Sequence, residues 1–482
     1  MAVASLFRIF GFLLVALAIA QLVPLAVALA FDEAIHIVAF GMSAGLALFF
    51  GVVLAIAGSG GSGKFGRREA VVLAVGAWIV LSLFSAVPFF FGEATGGVAS
   101  AIVEATSGLT TTGLTVFENA GEIARSTAVW RAVLHWLGGL ATILFAASLV
   151  PHIGLVAPAG SGADTPGFAT SFRPRLRQIA PAVAATYAGL TVLCAVGLLV
   201  SGLPLLDAVC YAMSAISTGG FMPNSGGPFA YGSDAAVFVL IAGMLAGAIS
   251  FTLHWAAATG RPAVYLKDPE TAFLFFLIAA GTAIVFIVLA GVPGQTQENA
   301  LRLAVFEVVS AATTAGIADP RMTHVPEIVI FMLAGFVLVG GSSASTAGGL
   351  KLMRALLLIR QSARELERLV HPHGVMLIKL GRASVTDATM QSIWAFFVLF
   401  IFCLILLAAS LSAVGLEFGH ALMLALSAMA NCGPALLDAA RFGGGLADLS
   451  DAAKLLVAAG MLVGRLEVFA LLILVTPMFW RR

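Results

Sequence analysis

SGLTTTGLTVF at residues 107–117 carries a serine six positions ahead of a glycine, and the same spacing returns three more times along the chain. The other copies read SAISTGGFMPN at 214–224, SAATTAGIADP at 310–320 and SAMANCGPALL at 427–437. They pair Ser107 with Gly113, Ser214 with Gly220, Ser310 with Gly316 and Ser427 with Gly433. Successive glycines stand 107, 96 and 117 residues apart. A unit of that length holds a helix, a half-helix with a turn, and a second helix. A single such glycine reads equally well as a close contact between two membrane helices. Four in register, each lying between long apolar runs, indicate a fourfold internal repeat.

The surroundings of these turns are almost uniformly apolar. Of 482 residues, 60% are hydrophobic and 10% charged, whereas a soluble domain carries about 25% charged residues. So few charges cannot cover a water-facing surface, and the net charge of +1 shows no basic excess that would suit nucleic acid. A soluble enzyme, a nucleic-acid binder and a disordered scaffold are excluded. Runs nearly free of charge fall at 7–30, 37–57, 69–91, 128–150, 180–202, 235–259, 271–292, 327–340, 391–414 and 452–480. Most are long enough for a spanning helix, which needs about 20 apolar residues. The first of them reads as a helix and not as a cleaved leader. Cys194, Cys210, Cys403 and Cys432 are scattered without metal or redox spacing.

Basic residues fix the expected orientation. With a cytoplasmic amino terminus, one side carries Arg8; Lys64, Arg67 and Arg68; Arg173, Arg175 and Arg177; Arg261 and Lys267; seven from Lys351 to Arg382; and Arg481 and Arg482. The other side carries Arg125, Arg131, Arg302, Arg321 and Arg441. This is the positive-inside pattern.

Each glycine turn follows about 15 moderately apolar residues, too few to cross a bilayer as a helix. Such a segment can enter halfway and return if protein or water satisfies the turn's backbone. Its helix would bring a negative dipole end toward the membrane centre, and the turn would present carbonyl oxygens. Four turns about one axis would make rings of oxygens able to replace the hydration shell of a monovalent cation. Potassium, large and weakly hydrated, is the expected substrate.

These turns, the segment GGSSASTAGGLKLMR at 340–354 and the closing GRLEVFALLILVTPMFW at 464–480 resemble the Trk/Ktr/HKT superfamily of potassium transporters, most closely its TrkH branch. Two extra spans before the first repeat, at 7–57, fit that branch. The resemblance implies an all-α polytopic membrane protein of four pseudo-symmetric helix–pore-helix–helix repeats around one pore. Its units would be an extension at 1–60, then 61–160, 161–262, 263–370 and 371–482, with filter turns at 110–114, 217–221, 313–317 and 430–434. The ion ligands carry over onto Thr110, Thr111, Thr112 and Gly113; Ser217, Thr218, Gly219 and Gly220; Thr313, Thr314, Ala315 and Gly316; and Ala430, Asn431, Cys432 and Gly433. The fourth turn departs most, because Pro434 removes a backbone donor. The resemblance also implies a homodimer with one pore per subunit, a cytosolic TrkA-type nucleotide-binding ring as partner, potassium as the transported ion and no bound organic cofactor. The location would be the bacterial inner membrane, with both termini cytoplasmic.

Two features read as gates. Small residues at 341–349, among them Gly341, Ser343, Ser345, Thr346, Gly348 and Gly349, interrupt the second helix of the third repeat. The family places the matching segment across the pore. Arg465 is expected mid-span in the last helix, where an unpaired charge is costly and usually functional. Glu467, two positions on, points elsewhere on a helix and is not expected to pair with it. His135-Trp136 and His254-Trp255 read as helix-packing residues. The basic stretch from Lys351 to Arg382 fits a solvated, lipid-contacting face and a docking surface equally. A secondary cation symporter with alternating access would show repeats of opposite topology, whereas these four turns share one side. An intramembrane enzyme would need grouped acids, bases or metal ligands, and no such motif occurs.

Overall fold

The architecture is that of a computed structural model, described for residues 3–60, 66–92, 96–117, 120–148, 172–224, 226–319, 325–371, 378–380, 383–434, 436, 446–468, 474 and 476–480. Of the basic residues used for orientation, Lys64, Arg321, Arg382, Arg441, Arg481 and Arg482 lie outside these, as do most residues after Val468 in the closing motif. Helices dominate. Among the described residues the sole β pairing is the two-residue hairpin of Lys379–Leu380 with Ala383–Ser384.

Helices α1 (Val3–Ala30) and α2 (Ala34–Ala57) form an antiparallel pair ahead of the repeats. Glycine allows their close approach: a methyl at Gly11 would lie 2.6 Å from the Gly51 carbonyl oxygen. The first repeat follows as α3 (Arg67–Gly92), α4 (Val98–Leu109) and α5 (Arg125–Ser148). The second is α6 (Phe172–Val200), α7 (Leu205–Ile216), α8 (Asp234–Ala248) and α9 (Phe251–Ala258). After the short α10 (Val264–Lys267), the third comprises α11 (Pro269–Ala290), α12 (Gln297–Ala312), α13 (Glu327–Val339) and α14 (Leu352–Val370). The fourth is α15 (Asp387–Ala413), α16 (Phe418–Ala430) and α17 (Asp451–Arg465); α18 (Pro477–Trp480) closes the described chain. Several helices start on a side-chain cap, as where Asp268 accepts from Thr271 N at 2.8 Å.

Among the described residues seven helices are long and apolar enough to cross a membrane, and an eighth is made if α8 and α9 count as one bent span. The chain is a multi-pass membrane protein. The helices α4, α7, α12 and α16 hold 12, 12, 16 and 13 residues. At 1.5 Å per residue they reach about 18–24 Å, short of the roughly 30 Å hydrocarbon core. They are the half-helices expected from the sequence.

Two expected spans differ. The run at 235–259 is not straight but bends by 104° between α8 and α9. The cause is tertiary: Ser342 N donates to Ala248 O at 3.0 Å, and Phe251 N donates to Ala344 O at 3.0 Å. The small-residue segment of the third repeat thus occupies the break and satisfies the backbone groups that the bend exposes. The run from 452 also ends early. Its helix stops at Arg465, and Glu467 and Val468 take positive φ of 52° and 21°.

Candidate ion pathway

Each half-helix ends in the same way. Thr111, Thr218, Thr314 and Asn431, each two residues before its glycine, adopt φ of 54°, 50°, 55° and 50°. Their amides donate to the carbonyls of Gly108, Ala215, Ala311 and Ala428 at 3.0–3.2 Å. In turns 1, 2 and 4 the next amide reaches back to the serine, Thr112 to Ser107, Gly219 to Ser214 and Cys432 to Ser427, each at 2.9 Å. This left-handed cap normally uses glycine. Three of the four positions instead hold threonine, a β-branched residue for which positive φ is an outlier. The serines that align the repeats therefore mark the carbonyls that close the helices.

The turns meet in cyclic order. A methyl at Gly113 would overlap the Gly219 carbonyl oxygen and lie 3.1 Å from Gly220 Cα. One at Gly220 would overlap the Ala315 carbonyl oxygen, and one at Gly316 would lie 2.8 Å from the Gly433 carbonyl carbon. The ring closes from turn 4 to turn 1, where Asn431 Nδ2 donates to Thr112 Oγ1 at 3.1 Å. Gly113, Gly220 and Gly316 take φ of 85°, 86° and 65°, but Gly433 is absent from the positive-φ residues. It precedes Pro434, which confines its neighbour to extended conformations, so the fourth turn departs in its backbone too.

All the threonines of the turns are buried, and Thr110 and Thr313 are bonded locally. Thr110 Oγ1 bonds Thr106 O and Thr112 Oγ1, each at 2.7 Å, and Thr313 Oγ1 donates to Val309 O at 2.7 Å. Ser217 Oγ donates to Ser214 O at 3.1 Å. Buried too are Ala315, Ala430 and Cys432. The second helices press glycine onto these turns: a methyl at Gly247 would sit 2.6 Å from Ile216 O, and methyls at Gly138 and Gly464 would overlap Leu109 O and Met429 O. Those three carbonyls occupy one register, four residues before the turn glycine.

The segment at 341–349 bonds turns 2, 3 and 4 directly and turn 1 through Arg465. Thr218 Oγ1 donates to Thr346 Oγ1 at 3.2 Å. Gly348 N donates to Thr314 Oγ1 at 2.7 Å, and Gly349 N to Ala430 O at 3.0 Å. The first turn is reached through Arg465, whose Nη1 donates to Thr346 O at 2.9 Å and Nη2 to Thr111 Oγ1 at 2.7 Å. The segment is anchored further by Thr346 Oγ1 to Ile216 O and Gly247 O, and by Ser345 Oγ to Ser342 O at 2.6 Å. Ser343 N donates to Glu270 Oε2 at 2.7 Å, and Gly341 O accepts from Leu352 N at 2.9 Å. Thus the four turns, the segment at 341–349 and Arg465 come together.

Arg465 differs from expectation in its place. It is the last residue of α17 rather than a mid-span residue, where the helix dipole favours a cation. Glu467 does not pair with it. Its carboxylate meets Arg354 Nη2 at 2.5 Å, with the Arg354 guanidinium 4.0 Å over the Phe396 ring. Neither contact was legible in spacing, since Arg354 and Glu467 come from different repeats. His254 sits at the α8–α9 bend, bonding Tyr265 Oη at 2.7 Å and Ala246 O at 2.8 Å.

The TrkH family model, described as a cation transport protein, matches residues 45–482. The chain is 32% identical to the Trk system potassium uptake protein TrkH of Halomonas elongata, across the whole of both chains. It is also 32% identical to the protein of that name from Escherichia coli K12, over 98% of each. The crystal structure of the potassium transporter TrkH from Vibrio parahaemolyticus superposes with a TM-score of 0.91, covers both chains completely and is 31% identical. With four capped half-helices in a closed ring and a match over nearly its whole length, the chain belongs to the TrkH family of cation transport proteins.

Proposed function

We propose that the chain takes up potassium across the bacterial inner membrane, and that the four turns hold the ion on its way. The ligands are backbone oxygens of Thr110, Thr111, Thr112 and Gly113, Ser217, Thr218, Gly219 and Gly220, Thr313, Thr314, Ala315 and Gly316, and Ala430, Asn431, Cys432 and Gly433. A ring of such oxygens stands in for water around a large monovalent cation. The carboxyl ends of α4, α7, α12 and α16 add partial negative charge around it. The observation that carries this reading is the cyclic contact of the turns, Gly113 on Gly219, Gly220 on Ala315, Gly316 on Gly433 and Asn431 on Thr112. Relatives named as potassium uptake proteins supply the choice of ion.

In this reading the segment at 341–349 and Arg465 form the gate. The segment bonds three turns directly and the first through Arg465, whose guanidinium opposes a passing cation. A cytosolic nucleotide-binding ring of the TrkA type displaces the segment. The functional unit is a homodimer with a pathway in each subunit and cytoplasmic termini. Its repeats run 61–160, 161–262, 263–370 and 371–482 after the extension at 1–60. Flux into proteoliposomes containing the purified chain, with potassium, rubidium and sodium offered in turn, tests the core of the proposal. Potassium and rubidium should enter about tenfold faster than sodium, as expected for an oxygen-lined site matched to the larger ions. Equal entry of all three would overturn it.

A further inference from the structure

Turn 1 is held from behind by a buried carboxylate. Glu104, nine residues before Gly113, accepts from Val116 N at 2.9 Å and from Thr115 Oγ1 at 3.0 Å. Turn 3 repeats the arrangement in the same register: Glu307, nine residues before Gly316, accepts from Asp319 N at 2.8 Å. Turn 2 cannot use it. Its residue at the matching outer position is Pro223, which has no N–H to offer, and Tyr211 stands where the carboxylate would be.

Turn 2 is tied to α5 instead. Phe221 directly follows Gly220, and the Arg131 guanidinium lies 4.0 Å over its ring. The His135 imidazole, one helical turn along α5, stacks on the same ring at 4.2 Å with planes 14° apart. Two groups so close to the centroid cannot share a face, so Phe221 lies between them. Arg131 Nε also stands 2.8 Å from Glu104 Oε1, with both side chains nearly fully buried. One guanidinium therefore joins the carboxylate behind turn 1 to the aromatic ring that closes turn 2.

We infer that Arg131 is a positioning residue for ion discrimination, fixing the outer ends of turns 1 and 2 relative to each other through Glu104 and Phe221. This rests on the reading of the turns as the ion's ligands. An oxygen ring favours a large cation over a small one only while its walls resist closing around the small one. Turns 2 and 4, with Tyr211 and Leu424 at the matching position, lack a carboxylate pin, and turn 2 is the one held by this stack. The planar guanidinium suits the role because it can pair with a carboxylate at its edge while its face covers a ring.

The test is a ratio of rubidium to sodium flux through the same proteoliposomes, which does not depend on how much protein inserts. Phe221→Leu removes the flat surface but leaves the buried ion pair intact. The double substitution Glu104→Gln with Arg131→Gln removes the pair without stranding a charge. Each should lower the rubidium preference about tenfold, the scale of one lost interaction, while rubidium still enters. Phe221→Tyr, which keeps an aromatic face, should restore the preference. An unchanged ratio in both variants overturns the inference, and so does parallel loss of both fluxes, since the group would then support only the fold. If the unaltered protein shows no preference, the reading of the turns fails instead, so the two failures are told apart.

Discussion

Arg465 Nη2 donates to the Thr111 hydroxyl at 2.7 Å across 354 residues of sequence. The same guanidinium holds Thr346 O. It thereby joins the end of the last repeat, the first turn and the segment interrupting the third repeat. Removing it has two separable effects, loss of a positive charge near the ring and loss of an anchor for that segment.

Both effects favour faster entry. A unit charge about 8–16 Å from the path opposes a cation by about 1–2 kcal/mol at an effective dielectric of about 20. Arg465→Ala should therefore raise rubidium uptake about tenfold, measured per mole of protein reconstituted. Loss of monodisperse protein on gel filtration, with no gain in flux from what remains, would assign the residue to the fold.

Gly113→Ala puts a methyl into the Gly219 carbonyl oxygen at a residue with φ of 85°. The backbone conformation costs an alanine about 1 kcal/mol, and the overlap forces turns 1 and 2 apart. Potassium uptake should fall at least about tenfold while the protein is still made and inserted. Growth of a potassium-uptake-deficient bacterium at low external potassium reads the loss directly. Undiminished growth would show that the contact is not needed for transport.

Thr346→Val keeps the shape of the side chain but removes a hydroxyl that bonds Thr218, Ile216 and Gly247. Losing these weakens the hold on the segment by about 1–3 kcal/mol. Flux through protein reconstituted without any cytosolic partner should rise about tenfold. Deletion of 341–349 should raise it further. Flux equal to that of the unaltered chain in both would show that the segment does not obstruct the path.

The pair of Arg354 with Glu467 is mostly buried, at 8% and 16% side-chain exposure. Glu467→Gln leaves the guanidinium without its counter-charge, which costs about 3–5 kcal/mol at a buried site. The melting temperature in detergent should drop clearly. The double substitution Arg354→Met with Glu467→Gln should recover part of the loss, because neither charge is then stranded. Additive losses would mean that the two residues act independently.

Much of this arrangement was legible in the chain itself. The serine-to-glycine spacing located all four turns because it encodes a local event, closure of a helix end, that depends on nearby residues alone. The segment at 341–349 stood out for the same reason, as a cluster of small residues within apolar sequence. The bend between α8 and α9 was invisible, since 235–259 is continuously apolar and the break is made by Ser342 and Ala344 from another repeat. The partners of Glu467 and Arg131 were hidden likewise. Periodicity shows which residues share a helix face, but not which face of a distant helix will meet it.

The segment at 341–349 touches each of the four turns by a separate hydrogen bond, directly or through Arg465. It sits like a keystone, its seat shared among all four walls, so each lost contact lowers the hold without removing the others. In the proposed role of gate, clearing the centre requires release from every one of these contacts.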